Sequence, residues 1–333
     1  MNKLSSQYMG MTLKSPLVAS ASPMTSTLKS ALELEEAGIS AIVMRSLFEE
    51  HCKKDHEMAH QMLHDQDIGH AEANSSIAPP ILQKLKTTED HYLETLQSMK
   101  KELSIPVIAS LNGASLEGWE EHAANIQQAG ADALELNIYS IAANLKESAD
   151  QVEHRYTEIV RRVRETVDLP LAVKISSQFS SPVHFIEKLK MAGADAVVIF
   201  NRFYQPDINL QTLDVDNKIQ LSDSSDLLER LRWTAILKHQ VAIDIAITGG
   251  VHSAEGVLKA SLVGSNITQL CSVLLLRGPD IITELNHDIE RWLDANEYES
   301  LEQLRGSMSY SNNSDPSSNE RSNYMDMLDS WGR

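Results

Sequence analysis

Apolar positions along this chain repeat with two alternating spacings. Stretches with apolar residues every third or fourth position end in a small-residue turn, and a short apolar run follows. Glu36-Ala37-Gly38-Ile39-Ser40-Ala41-Ile42-Val43 is one copy of this junction. Gln128-Ala129-Gly130-Ala131-Asp132-Ala133-Leu134-Glu135 and Met191-Ala192-Gly193-Ala194-Asp195-Ala196-Val197-Val198 are two more. In each, Gly suits the left-handed position that closes a helix. A run apolar on both faces then reads as a buried parallel strand. Eight such runs occur: Pro16–Ala21, Ile39–Met44, Ile105–Leu111, Asp132–Asn137, Leu169–Ile175, Asp195–Phe200, Ala242–Thr248 and Ile267–Ser272. The helical spacing lies between them, over Leu116–Gln128, Val152–Val167, Val183–Met191, Leu227–Lys238 and Ala254–Val263. Strand-helix alternation predicts a parallel sheet. Eight units over roughly 250 residues match a closed (β/α)8 TIM barrel. An open doubly wound sheet is the alternative.

Two segments break the rhythm. Residues His51–Pro80 form a long excursion after the second strand, and long loops in that position often carry function. Beyond a barrel spanning residues 1–306, the stretch Ser309–Asn319 is rich in Ser and Asn and reads as flexible. Within the tail, Asn323–Trp331 predicts a docking helix with Tyr324, Met325, Leu328 and Trp331 facing inward.

Composition narrows the class. The 333 residues carry 47 acidic against 29 basic side chains, a formal charge of −18. That argues against nucleic acid as a partner, since phosphate backbones require clustered Lys and Arg. The N-terminal residues show no signal-peptide core, and no apolar run is long enough to span a bilayer. Cys52 and Cys271 form no CxxC pair. These features predict a cytoplasmic protein acting on a small molecule, with neither nucleic acid nor membrane as partner.

In a (β/α)8 barrel the chemistry sits at the C-terminal ends of the strands. The first strand ends in Ala19-Ser20-Ala21-Ser22-Pro23, whose small side chains let a flat ring approach the backbone. The second ends in Arg45-Ser46, the third in Asn112-Gly113, the fourth in Asn137-Ile138-Tyr139-Ser140 and the sixth in Asn201-Arg202. The fifth delivers Lys174, a lysine at the end of an apolar run. It is either a cation that stabilises negative charge on an electron-accepting ring, or else a snorkelling lysine or a structural ion pair. The seventh ends in Thr248-Gly249-Gly250-Val251, ahead of a new helix. Backbone N–H groups and a helix dipole there suit a phosphate, although Gly-Gly also serves as a plain tight turn. The eighth ends in Cys271-Ser272.

Taken together, Leu13–Ser20, Gly130–Asn137, Val173-Lys174, Leu231-Arg232-Trp233 and Ile247–Val251 resemble the dihydroorotate dehydrogenase family in its soluble class 1 branch. The resemblance runs from about Leu4 to Arg305. It implies an FMN-dependent oxidoreductase that converts a dihydropyrimidine, dihydroorotate, to orotate in pyrimidine biosynthesis. By position, Ala19 and Ser20 would line the flavin, and Lys174 would stand near its N1 side. Gly249, Gly250, Cys271 and Ser272 would hold the phosphate, and Arg45, Ser46 and Asn112 would complete the cofactor site. Asn137, Asn201 and Asn74 would meet the substrate. Ser140 stands where class 1 enzymes carry a cysteine base, and serine is the class 2 choice. The implied mechanism has Ser140 take the C5 proton while a hydride passes from C6 to flavin N5. The resemblance also admits a homodimer.

The chain departs from the pattern at several places. Arg45 replaces a lysine, Ile141-Ala142 replaces a Pro-Asn pair, and the substrate loop after the second strand is represented only by Asn74-Ser75. Three rivals stay open. His56-Glu57-Met58-Ala59-His60 matches the H-E-x-x-H zinc pattern, with His64 on the same face. A non-redox lyase or isomerase would keep the phosphate site and use Lys174 as a Schiff base. A catalytically dead flavoprotein would account for the lost substrate asparagine.

Overall fold

The three small-residue junctions act as their sequence implies. Gly38, Gly130 and Gly193 take φ of 97°, 91° and 113° and close their helices. The polar residue that follows each one then pins a neighbouring strand. Asp132 Oδ2 accepts the Val107 backbone N–H at 2.7 Å, and Asp195 Oδ2 accepts that of Leu171 at 2.8 Å. Asn266, at the junction before the eighth strand, accepts the Ile245 N–H at 3.0 Å. Ser40 donates to the Ser15 and Leu17 carbonyls instead. Each repeat thus satisfies backbone groups at the lower rim of the barrel that would otherwise be buried without partners.

The computed structural model describes residues 2–55, 57–58, 86–113, 115–116, 118–202, 205–314, 319 and 323–330. Among the described residues, eight parallel strands close on themselves. They are β3 (Leu17–Ala19), β4 (Ala41–Val43), β6 (Val107–Gly113), β7 (Ala133–Ile138), β8 (Leu171–Ile175), β9 (Ala196–Ile199), β12 (Asp244–Thr248) and β13 (Ile267–Leu270). β13 pairs with β3 and β4 pairs with β6, so these eight strands form a closed ring. This is the (β/α)8 barrel, and the closure excludes the open doubly wound sheet. Around it run α1 (Leu28–Glu36), α2 (Thr88–Glu102), α3 (Trp119–Gln128), α4 (Ala149–Thr166), α5 (Pro182–Met191), α6 (Leu227–Leu237), α7 (Ala254–Val263), α8 (Ser272–Arg277) and α9 (Ile281–Ala295).

Two cores result. Outward strand residues such as Leu17, Ile42, Leu134 and Ile247 pack against the helices. Inward residues Val18, Val43, Ile108, Ala172 and Val198 fill the barrel. The antiparallel hairpin β1 (Ser6–Tyr8) and β2 (Met11–Leu13), not foreseen from the sequence, lays Tyr8 and Leu13 across the floor. Small alanines at inward positions make room for that plug. A strand too short to read from the pattern, β5 (Leu47–Phe48), extends the sheet beside β6. A second unforeseen hairpin, β10 (Asp207–Asn209) with β11 (Asp214–Asp216), projects after β9.

The tail corrects the expectation of flexibility in part. Ser309 is fully buried, the Met308 N–H donates to the Leu262 carbonyl, and the Tyr310 N–H donates to that of Ala235. Residues 306–313 therefore seal the α6–α7 side of the barrel. The predicted helix forms at Asn323–Ser330, but Tyr324 and Leu328 are exposed rather than turned inward. After β5, residues 49–55 are helical, and most of the excursion lies outside the described residues. Among the described residues no helix is long and apolar enough to cross a membrane.

Candidate active site

The strand ends converge on a cavity of about 670 Å3 at the C-terminal mouth. Ser20, Arg45, Ser46, Asn112, Asn137, Lys174, Asn201, Gly249, Cys271 and Ser272, all expected from the sequence, line it. Ala19 does not. Its side chain is fully buried in the layer between strands and helices, one position out of phase with Ser20. Alternation along a strand turns neighbouring side chains to opposite faces, so Ser20 takes the cavity and Ala19 the core.

Lys174 sits at the centre of a buried polar ring. Its Nζ lies 3.5 Å from Glu135 Oε1 and 3.4 Å from Ser20 Oγ. Gln269 donates to the other Glu135 oxygen at 2.6 Å, and Ser20 donates to Gln269 at 3.2 Å. Glu135 is 1% and Lys174 7% exposed. A lone ammonium in an apolar barrel would be strongly disfavoured, and the carboxylate partner offsets that cost. Lys174 is therefore half of an ion pair and also faces the cavity. Glu135 and Gln269 escaped the sequence reading because they lie one pleat below the strand ends. Inward polar residues at i and i+2 of the same strand were the available signal.

The other end of the cavity is made largely of backbone. Gly249 and Gly250 take φ of 86° and 79°, a conformation that disfavours any side chain. A Cβ on Gly250 would fall 2.3 Å from the Leu227 nitrogen, so the turn is pressed against the start of α6. The Gly250 N–H donates to Ser222 Oγ at 3.2 Å. Ser222 Oγ and N in turn lie 2.8 and 3.1 Å from Ser272 Oγ. Ser222, buried in an irregular loop, was invisible to strand-end reasoning. Gly250 does not line the cavity itself; it shapes the turn behind Gly249. Burial pushes the Cys271 thiol up, with the Lys174 charge opposing, so Cys271 stands as a neutral thiol.

Elsewhere in the cavity lining, Asn201 Nδ2 donates to Asn137 Oδ1 at 2.7 Å, bringing the two expected amides together. Ser46 Oγ is 2.8 Å from Ser110 Oγ, and Tyr92 fixes the Ser110 backbone. Arg202 donates to the Gln220 carbonyl at 2.7 Å. With Arg45 and Lys54 it makes the rim cationic, in a chain of net charge −18. Ser140 is not brought into the site. It is absent from the cavity lining, and its Oγ accepts from Arg155 at 3.1 Å, while Arg155 also pairs with Glu147. The loop it starts runs outward, leaving Ile141 61% exposed. Asn74, and His56, His60 and His64 of the zinc-like pattern, lie outside the described residues. Among the described residues no cluster of His, Cys, Asp and Glu is arranged to hold a metal.

These features fit a flat cofactor that ends in a phosphate. A tight Gly-Gly turn with two serine hydroxyls closes one end, and a buried ammonium stands beside small residues at the other. The sequence model of the family described as dihydroorotate dehydrogenase matches residues 3–293. The "Dihydroorotate dehydrogenase B (NAD(+)), catalytic subunit" of Shouchella clausii is 26% identical over 209 residues, covering 61% of this chain and 68% of the relative. The protein of the same description from Methanothermobacter thermautotrophicus is 22% identical, over 61% of this chain and 68% of its own. That from Methanosarcina acetivorans is 26% identical, over 65% and 70%.

Proposed function

Since the chain belongs to the dihydroorotate dehydrogenase family, whose members are flavin-dependent oxidoreductases acting on CH–CH bonds, we propose that it binds FMN in the mouth cavity and oxidises a dihydropyrimidine, dihydroorotate, to orotate. The observation that carries this reading is the buried Lys174, which faces the same cavity that the Gly249 turn and Ser272 close. FMN, when bound, supplies the acceptor for a hydride from the substrate.

The chain's own residues supply the rest. Gly249, Ser222 and Ser272 would hold the phosphate through backbone N–H and hydroxyl donors. Ser20 and Ala21 leave room for a ring against the backbone. Lys174, held by Glu135 and Ser20, keeps a fixed positive charge where electron density accumulates during the reaction. Because the protein arranges that charge beforehand, no solvent has to reorganise as the reaction proceeds. Asn137 and Asn201, already joined, present amide groups of the kind that read a pyrimidine edge. Arg45 and Arg202 draw an anionic substrate toward the mouth. A cytoplasmic setting, where thiols stay reduced, suits the unpaired Cys52 and Cys271.

The visible spectrum of the purified protein, followed by anaerobic addition of dihydroorotate, tests the reading. A flavin spectrum that bleaches supports cofactor and reaction together. A flavin spectrum that persists keeps the cofactor and removes dihydroorotate as substrate. A colourless protein that FMN does not reconstitute overturns the proposal.

A further inference from the structure

The reading above assigns no role to Arg230, yet its side chain lies directly behind the Gly249–Gly250 turn. Arg230 sits in the first turns of α6 and is 4% exposed. Its guanidinium donates to three backbone carbonyls: Nε to Thr248, Nη2 to Phe200 at 3.2 Å and Nη1 to Asp226. Thr248 ends β12 and Phe200 follows β9, so one side chain ties two adjacent strand ends to α6. Nε and Nη2 stand 3.1 Å from the point a Cβ on Gly249 would occupy.

No carboxylate hydrogen-bonds to this cation among the described residues. The nearest, Glu229 Oε2, is 3.9 Å away on a half-exposed side chain. Burial pushes the guanidinium down from its ordinary value, with the Asp226 and Glu229 charges opposing. An arginine still remains protonated in such a setting. With its hydrogen bonds all on carbonyls and its carboxylate at 3.9 Å, this buried charge is only partly balanced, whereas buried charges are ordinarily closely paired. Lys174, the other buried cation of this site, shows the contrast: it has Glu135 within 3.5 Å.

We infer that Arg230 is a positioning residue for the anionic end of the ligand, orienting the Gly249 amide and supplying the positive charge that a bound phosphate balances. The two roles come from one geometry. In a trans peptide the N–H points opposite to the C=O. Arg230 holds the Thr248 carbonyl toward α6, so the Gly249 N–H is turned to the other side of that peptide. The cation then lies one backbone layer behind the cavity wall, separated from the anion by low-dielectric protein rather than water. Charges interact strongly there. The inference rests on the reading of this cavity as a phosphate-bearing cofactor site.

The test compares two flavins that differ only in the phosphate. Apoprotein of the wild type, Arg230→Met and Arg230→Lys is titrated with FMN and with riboflavin, and binding is followed by the change in flavin fluorescence. For Arg230→Met, FMN affinity falls about 30-fold or more while riboflavin affinity stays within about 3-fold. Arg230→Lys, which keeps the charge but cannot span three carbonyls, loses less FMN affinity than Arg230→Met, again with riboflavin unchanged. If Arg230→Met does not fold, the lysine variant alone carries the comparison. Equal loss of both flavins in the folded variant makes Arg230 a structural strut and overturns the inference, as does unchanged FMN binding. A wild type that binds FMN no better than riboflavin removes the phosphate site itself, and the inference falls with it.

Discussion

The two ends of the mouth are built from different materials. On the β12–β13 side the wall is backbone: a Gly-Gly turn pressed against Leu227, two serines joined by short hydrogen bonds, and Arg230 holding carbonyls from behind. On the β4–β9 side the wall is side chains and long loops. Arg45, the Asn137–Asn201 pair and the 139–148 loop stand there, the last carrying Ser140 away from the cavity. Backbone sites tolerate little change, because any side chain collides, whereas side-chain sites can be re-lined at modest cost. Chemistry common to a family therefore belongs at the first end and selectivity at the second. The departures fall accordingly: Arg45, Ser140, Ile141 and Ala142 are all on the loop-built side.

The comparison is broken most directly at Lys174, the buried cation that faces the cavity. Lys174→Met leaves Glu135 buried without its cation, and removal of one partner of a buried pair costs about 3–5 kcal/mol. Adding Glu135→Gln recovers much of that loss in urea unfolding, because the orphaned charge is gone. Flavin reduction in the double variant, measured by stopped-flow, stays slower by about 100-fold or more. Recovery of rate along with stability would show that Lys174 matters only for folding. Next in size is Gly250→Ala. A Cβ 2.3 Å from the Leu227 nitrogen, at positive φ, costs about 3 kcal/mol. The loss appears in the melting temperature of the apoprotein, and flavin content falls with it. A variant that melts like the wild type would mean the turn is softer than the packing implies.

The loop-built end predicts a small effect where the family resemblance predicts a large one. Ser140→Ala changes the rate of flavin reduction by less than about 3-fold, since the hydroxyl accepts from Arg155 and does not reach the cavity. A fall of about 100-fold would instead require the 139–148 loop to bring Ser140 onto the substrate, and the division between the two ends would weaken.

The same division governs what could be read from the sequence. The eight strands were legible because an apolar run after Ala-Gly is a local pattern, and strand ends follow from it by counting. Lys174, Gly249 and Ser272 were found in that way. Ser222 and Arg230 were not, because one lies in a loop and the other on a helix, and only the closed barrel brings them to the Gly249 turn. The β1–β2 plug was missed because three-residue strands carry too little periodicity. The Ala19 side chain turns to the core by a single step of alternation from Ser20, while Ser140 was placed by resemblance in a segment where side chains rather than backbone set the geometry.

The smallest effect sharpens the comparison through pH. The β6 side of the mouth is braced by His122 on α3, whose Nδ1 lies 2.9 Å from Glu89 Oε1 on α2, with Asn125 donating to the same oxygen at 3.0 Å. His122 stands beside Leu47 and Asn112. The close Glu89 carboxylate raises His122 above the ordinary 6.5, and His122, with Asn125, lowers Glu89 below 4.5. The histidine contribution is fully present below 6.5 and fades as pH rises through its raised value. The glutamate contribution is present above 4.5 and fades as pH falls through its lowered value. Both therefore operate together between pH 4.5 and 6.5. His122→Gln keeps a donor but removes the titration. Its stability deficit against the wild type, on the order of 1 kcal/mol, is widest in that window and narrows toward pH 8. No titrating pair of this kind holds the Gly249 turn among the described residues, so flavin retention in the variant stays level over the same range. A deficit that is flat from pH 5 to 8 would show that the brace is packing rather than charge, and that the two ends differ less in kind than their materials suggest.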